Sequence, residues 1–90
     1  MRVDVFLKHS RLVKRRSLAK ELCEEGAVLV NGRPARAGRD LEAGDELTLN
    51  LRNRLVAVEI QEIPDRAPSL SRAHELYRVI RDDPRRENED

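Results

Sequence analysis

Seven of the first twenty residues are basic: Arg2, Lys8, Arg11, Lys14, Arg15, Arg16 and Lys20. They stand against one acid, Asp4. The chemistry open to such a set is anion recognition. An ammonium group offers a point charge, whereas a guanidinium can hold two phosphate oxygens at once. Other chemistry lacks its parts. His9 and His74 lie far apart with no cysteine or histidine partner set, so neither metal-ligand nor triad logic applies. Both read as surface residues. Gly26, Gly32, Gly38 and Gly44 are spaced as turn residues and form no phosphate-loop or dinucleotide fingerprint. No catalytic residue, cofactor or metal is expected.

The concentration of charge is what makes the cluster informative. The whole chain carries a formal net charge of only +1. Residues 1–39 hold ten Lys/Arg against four acids, a net of +6, and residues 40–90 a net of −5. A local excess of this kind creates a field that a polyanion can read, with the acidic remainder kept off it. Phe6 and Tyr77 are the only aromatic residues. That scarcity argues against a stacking platform for single-stranded bases. At 90 residues the chain supports one core. The single cysteine, Cys23, excludes an internal disulfide and reads as a small buried thiol on the apolar side of a helix. The longest apolar run is Ala27 to Val30, too short for a signal segment or a membrane span. We therefore expect a cytoplasmic protein with no membrane partner.

The elements that must position the cations follow from periodicity. Val3, Phe6 and Leu7 repeat at helical spacing, predicting a first helix over roughly residues 3–9, with Asp4 and Lys8 as an i,i+4 pair on its other side. Leu18, Ala19, Leu22 and Cys23 form the stripe of a second helix that Gly26 ends. Ala27 to Ala35, with Asn31-Gly32 at its centre, is a hairpin signal, because both central residues of a type I′ turn need positive φ. Leu47, Leu49 and Leu51 alternate as a strand, and Leu55 to Ile60 returns as another. After Pro64 and Pro68, the spacing of Leu70, Ala73, Leu76, Tyr77 and Ile80 predicts a final helix ended by Asp83-Pro84. Residues 85–90 contain no apolar side chain and are expected to be disordered. The order is an α+β fold: two N-terminal helices, a small antiparallel sheet and a C-terminal helix. We divide it as 1–63, 64–84 and 85–90.

Helix energetics sharpen the reading of the charges. Arg16 and Lys20 are a like-charge i,i+4 pair, while Arg2, Arg15 and Arg16 sit near helix starts, where the macrodipole disfavours cations. A solvated basic face, with Lys20 paired to Glu24, is the bland explanation. Phosphate neutralisation explains the placement better, and on that view Arg16→Ala should weaken RNA binding without loss of stability. The residues alone also leave open a small DNA-binding regulator, since two short basic helices mimic helix-turn-helix. An adaptor using the acidic C-terminal helix is a further alternative.

Taken together, four pieces in order over residues 2–51 resemble the S4 RNA-binding domain. They are Arg2-Val3-Asp4-Val5-Phe6-Leu7, Arg16-Ser17-Leu18-Ala19, Gly26-Ala27-Val28-Leu29-Val30-Asn31-Gly32 and Leu41-Glu42-Ala43-Gly44-Asp45-Glu46-Leu47. The resemblance implies that the two helices and the hairpin (the αL motif) form an RNA-binding surface, with Arg2, Lys8, Arg11, Lys14, Arg15, Arg16 and Lys20 on phosphates. Val5 and His9 depart from the family pattern. Within the family, Ser10-Arg11-Leu12-Val13-Lys14-Arg15-Arg16 and Ala19-Lys20-Glu21 are similar to short stand-alone bacterial members of ribosome-associated quality control. That similarity implies binding to 23S rRNA and peptidyl-tRNA on the obstructed large ribosomal subunit. It also implies assistance to the partner RqcH in alanine tailing, and a monomer off the ribosome. A longer heat-shock branch, linked to ribosome recycling, carries a basic C-terminal extension in place of the acidic end found here.

Overall fold

The first helix, α1, spans Val3–His9, and its N-cap residue, Arg2, makes no side-chain capping bond. Its free N–H donors find carbonyls in a distant loop: Val3 N–H donates to Arg39 O at 2.8 Å and Asp4 N–H to Ala37 O at 3.2 Å. The backbones of Arg2 and Asp40 form an isolated antiparallel β-bridge, and Leu41 N–H donates to Met1 O at 2.8 Å. The chain start is thereby stitched to residues 37–41. This computed structural model describes residues 1–84. The expected disorder of residues 85–90 lies outside them.

Helix α1 ends in a turn at Ser10-Arg11. Ser10 is buried and its hydroxyl donates to Leu7 O at 3.2 Å, while Arg11 N–H donates to Lys8 O at 3.1 Å. Arg11 adopts φ +65, a position after a helix end where glycine is usual. An L side chain costs about 1–2 kcal/mol in that region. Arg11→Gly is therefore expected to leave the melting temperature unchanged or to raise it slightly, read by calorimetry. A clear fall would mean that the arginine side chain is structural.

Helix α2 spans Arg16–Glu24 and stops at Gly26, whose φ of +77 fits the glycine stop. The strands are β1 (Val28–Val30), β2 (Arg33–Pro34), β3 (Glu46–Asn50) and β4 (Arg54–Ile60). Asn31 and Gly32 take φ of +52 and +83 in the two-residue turn between β1 and β2, as the Asn-Gly pair predicts. One face of the sheet supplies Val28, Val30, Leu47, Leu49, Val56, Val58 and Ile60. They pack with Val3, Phe6, Leu7, Ala19 and Cys23 of the two helices into one core. The buried positions alternate along β1 and β3, which fixes their register against the helices.

The C-terminal segment departs from expectation. Its α-helix, α3, covers only Leu70–Ala73, followed by a 3-10 turn at His74–Leu76. Residues Tyr77–Pro84 form a strand, β5, antiparallel to β4, and the five-stranded sheet has the order β2-β1-β3-β4-β5. The helical spacing of Leu70, Ala73, Leu76, Tyr77 and Ile80 is split: Ala73 and Leu76 are buried, whereas Leu70 and Ile80 are exposed. Pairing with β4 outweighs that periodicity. A register shift beside Ala57/Val58 leaves Ile80 as the extra residue of a bulge, a device that disfavours edge-to-edge association. Among the described residues, no helix is long and apolar enough to cross a membrane.

Candidate nucleic-acid interface

Asp4 is the hinge of the basic region. It faces inward from the first turn of α1 with no solvent exposure, and the expected pairing with Lys8 does not form. Instead Arg2 Nε donates to Oδ1 at 3.0 Å and Arg2 Nη2 to Oδ2 at 3.3 Å. From α2, Arg16 Nε donates to Oδ2 at 3.0 Å. The Val5 N–H completes the set with a bond to Oδ1 at 2.9 Å. Burial alone would push the Asp4 carboxyl up. The hydrogen bonds and positive charges of Arg2 and Arg16 outweigh that and hold it below its ordinary value.

The geometry corrects the view that fold energetics give Arg2 and Arg16 nothing. Both guanidiniums cross-link α1, α2 and the chain start through one buried carboxylate, while about half of each side chain remains exposed to solvent. Arg16→Ala is accordingly expected to weaken the fold as well as any RNA contact, where the sequence reading expects no loss of stability. Lys8 also has a structural rationale, since it lies in the last turn of α1, where the macrodipole favours a cation.

Among the described residues, Lys8, Arg11, Lys14, Arg15 and Lys20 have no carboxylate within 4.0 Å, and neither do Arg33, Arg36 and Arg39. The proposed Lys20–Glu24 pair is absent. The sheet's far end is arranged otherwise. There Arg54 pairs with Asp82 and Arg78 with Glu59, while Arg72 meets Glu62 and Glu75, and Arg81 meets Asp83. Cations are therefore neutralised on β4 and β5 but left unneutralised around α1, α2 and the loop after β2.

Two concavities hold part of this basic surface. Lys14 and Arg15 line a shallow depression of about 320 Å³ with Ser17, Leu18 and Glu21. Arg2, Lys20 and Arg36 line a cleft of about 540 Å³ with Cys23, Glu24 and Ala37. Lys8 and Arg11 line neither; they lie at the end of α1 and in the turn that follows it. Arg36 was not among the residues singled out from sequence. Its signal was the repeated base in Arg33-Pro34-Ala35-Arg36-Ala37-Gly38-Arg39, directly after the hairpin. His9 is partly exposed and His74 exposed, and no group of three or more metal-ligating side chains occurs among the described residues.

Comparison with known proteins matches residues 1–47 to the family model of the S4 domain. The chain is 46% identical over 84 residues to the RQC P-site tRNA stabilizing factor of Halalkalibacterium halodurans, covering 93% of this chain and 94% of that protein. It is 41% identical over 83 residues to the protein of the same name from Bacillus subtilis, covering 92% and 95%. Among solved structures, the trimeric Vibrio cholerae Heat Shock Protein 15 superposes with a TM-score of 0.79 at 32% identity, over 88% of this chain and 80% of that one.

Proposed function

The chain belongs to the S4 domain family, and from that premise we propose that it is a non-catalytic RNA-binding factor that sits on the large ribosomal subunit and steadies the P-site tRNA. The observation that carries this reading is the contrast in charge pairing. Among the described residues, unpaired cations gather on α1, α2, the turn between them and the loop after β2, while arginines at the sheet's far end are matched to acids. Phosphate contacts fix position without reading sequence, and structured RNA is met largely by shape and backbone. Lys8, Arg11, Lys14, Arg15 and Lys20 would supply free phosphate contacts, with Arg2 and Arg16 offering the guanidinium edges that Asp4 leaves open.

In its finer form the reading has the protein contact 23S rRNA and peptidyl-tRNA on an obstructed subunit and assist RqcH in adding alanine to stalled chains. It acts there as a cytoplasmic monomer that bridges RNA elements. The relatives' name, RQC P-site tRNA stabilizing factor, supports the tRNA part of this form. A recycling role of the heat-shock type is the second reading, favoured by the likeness to Heat Shock Protein 15.

Sucrose-gradient sedimentation tests the core of the proposal: the protein should travel with large subunits and be released by salt. With about six phosphate contacts, log affinity should fall against log salt with a slope of about −4 to −5. A flat plot, or equal affinity for duplex DNA, would sink the RNA reading. Loss of alanine tailing in a deletion strain, restored by this chain, separates quality control from recycling.

A further inference from the structure

The cleft lined by Arg2, Lys20, Cys23, Glu24, Arg36 and Ala37 contains a carboxylate that phosphate binding alone does not explain. Glu24 is exposed and, among the described residues, unpaired, although Lys20 and Arg36 line the same cleft. An acid at that point repels an RNA backbone. It can, however, accept hydrogen bonds, and a base edge that presents two donors side by side matches its two oxygens. The volume, about 540 Å³, lies in the range of small-molecule sites. The cleft is also lined by three cationic side chains and two small uncharged ones, Cys23 and Ala37. Arg2 gives Nε and Nη2 to Asp4, which leaves Nη1 for an oxygen, and a Cβ built on Gly38 would lie 3.7 Å from Arg2 Cζ, so the loop backs the guanidinium. Burial pushes the Cys23 thiol up, and the charges of Asp4 and Glu24 add to it, so the sulfur stays neutral.

We propose that this cleft takes one unstacked guanine nucleotide of the bound RNA, with Arg2, Lys20 and Arg36 on its phosphate and Glu24 accepting from the guanine N1–H and N2–H. The proposal rests on the RNA-binding reading and adds a base-reading position to it. Guanine presents two donors side by side on its Watson–Crick edge, which suits a carboxylate, whereas uracil presents one. A bidentate match of this kind discriminates by on the order of tenfold or more.

Amide chemical shifts of the full chain, followed during titration with GMP, UMP and inorganic phosphate, test it. GMP should move Cys23, Glu24, Arg36 and Ala37, with an affinity about tenfold above that of UMP. Glu24→Gln should bring the two nucleotides together, while Arg36→Ala should weaken both and keep their ratio. Equal shifts from all three probes, or no shifts in the cleft, overturn the proposal. Binding to a structured rRNA hairpin is measured in parallel. If the hairpin binds and guanine is not preferred, the cleft assignment alone fails; if the hairpin does not bind, the RNA-binding reading fails with it.

Discussion

Asp4→Asn is expected to lower the melting temperature by about 10–20 °C, the largest stability effect of any near-isosteric change in this chain. The amide keeps the shape but replaces one acceptor with an NH₂ that faces guanidinium donors. Hydrogen bonds to a charged group contribute about 1.5–3 kcal/mol each, and Asp4 accepts four bonds in a site without solvent exposure. Arg2 and Arg16 remain half-exposed and regain water when released, which reduces the net loss to about 2–3 kcal/mol. Thermal denaturation measures it directly. A double-mutant cycle with Arg16→Ala should give a coupling of at least 1 kcal/mol or so. Additive effects would show that the Asp4–Arg16 bond contributes nothing.

The same carboxylate sets an acid dependence. Its pKa in the fold lies below its ordinary 3.8, so the unfolded chain takes up this proton more readily than the native one. The stabilisation is complete at pH above about 4 and is lost as pH falls below that value through the native pKa. In Asp4→Asn that portion of the acid destabilisation should be missing, and the melting curve should flatten against pH below 4.

The contrast between Asp4 and β5 shows which links the sequence carries. Val3, Phe6 and Leu7 announce α1 because their spacing alone buries one face. Asn31-Gly32 announces its turn because few other pairs adopt those angles without strain. Both signals are local. Asp4 lies at the border of the α1 stripe, and its burial depends on α2 folding back to deliver Arg16 from twelve residues away. Spacing within α1 points to Lys8 and cannot reveal that partner. The strand Tyr77–Pro84 fails to announce itself for a similar reason. Its apolar residues fit a helix, and only the open edge of β4 makes a strand the better solution. The cationic character of the candidate site was plain, since charge is read directly. Which cations are free and which are structural was not, because that depends on where the acids end up.

The division between free and structural cations leads to the largest expected effect on binding. Replacing Lys14, Arg15 and Lys20 together by alanine should cut RNA affinity by about two to three orders of magnitude at 0.1 M salt while leaving the fold in place. Each phosphate contact contributes about 0.7–0.9 to the log–log salt slope, which at 0.1 M is about five- to eightfold in affinity. Three lost contacts should therefore make the slope shallower by about 2–3. None of the three side chains has an ion pair within the described residues, and all are exposed, so the melting temperature should stay near that of the parent. Arg54→Ala on β4 is the matched control: it removes a cation already neutralised by Asp82 and should leave the salt slope unchanged. If the triple variant kept its affinity and slope, Lys14, Arg15 and Lys20 would be a solvated face. The phosphate contacts would then have to come from Lys8 and Arg11, from Arg2 and Arg16 around the Asp4 carboxylate, and from the loop that carries Arg36 and Arg39.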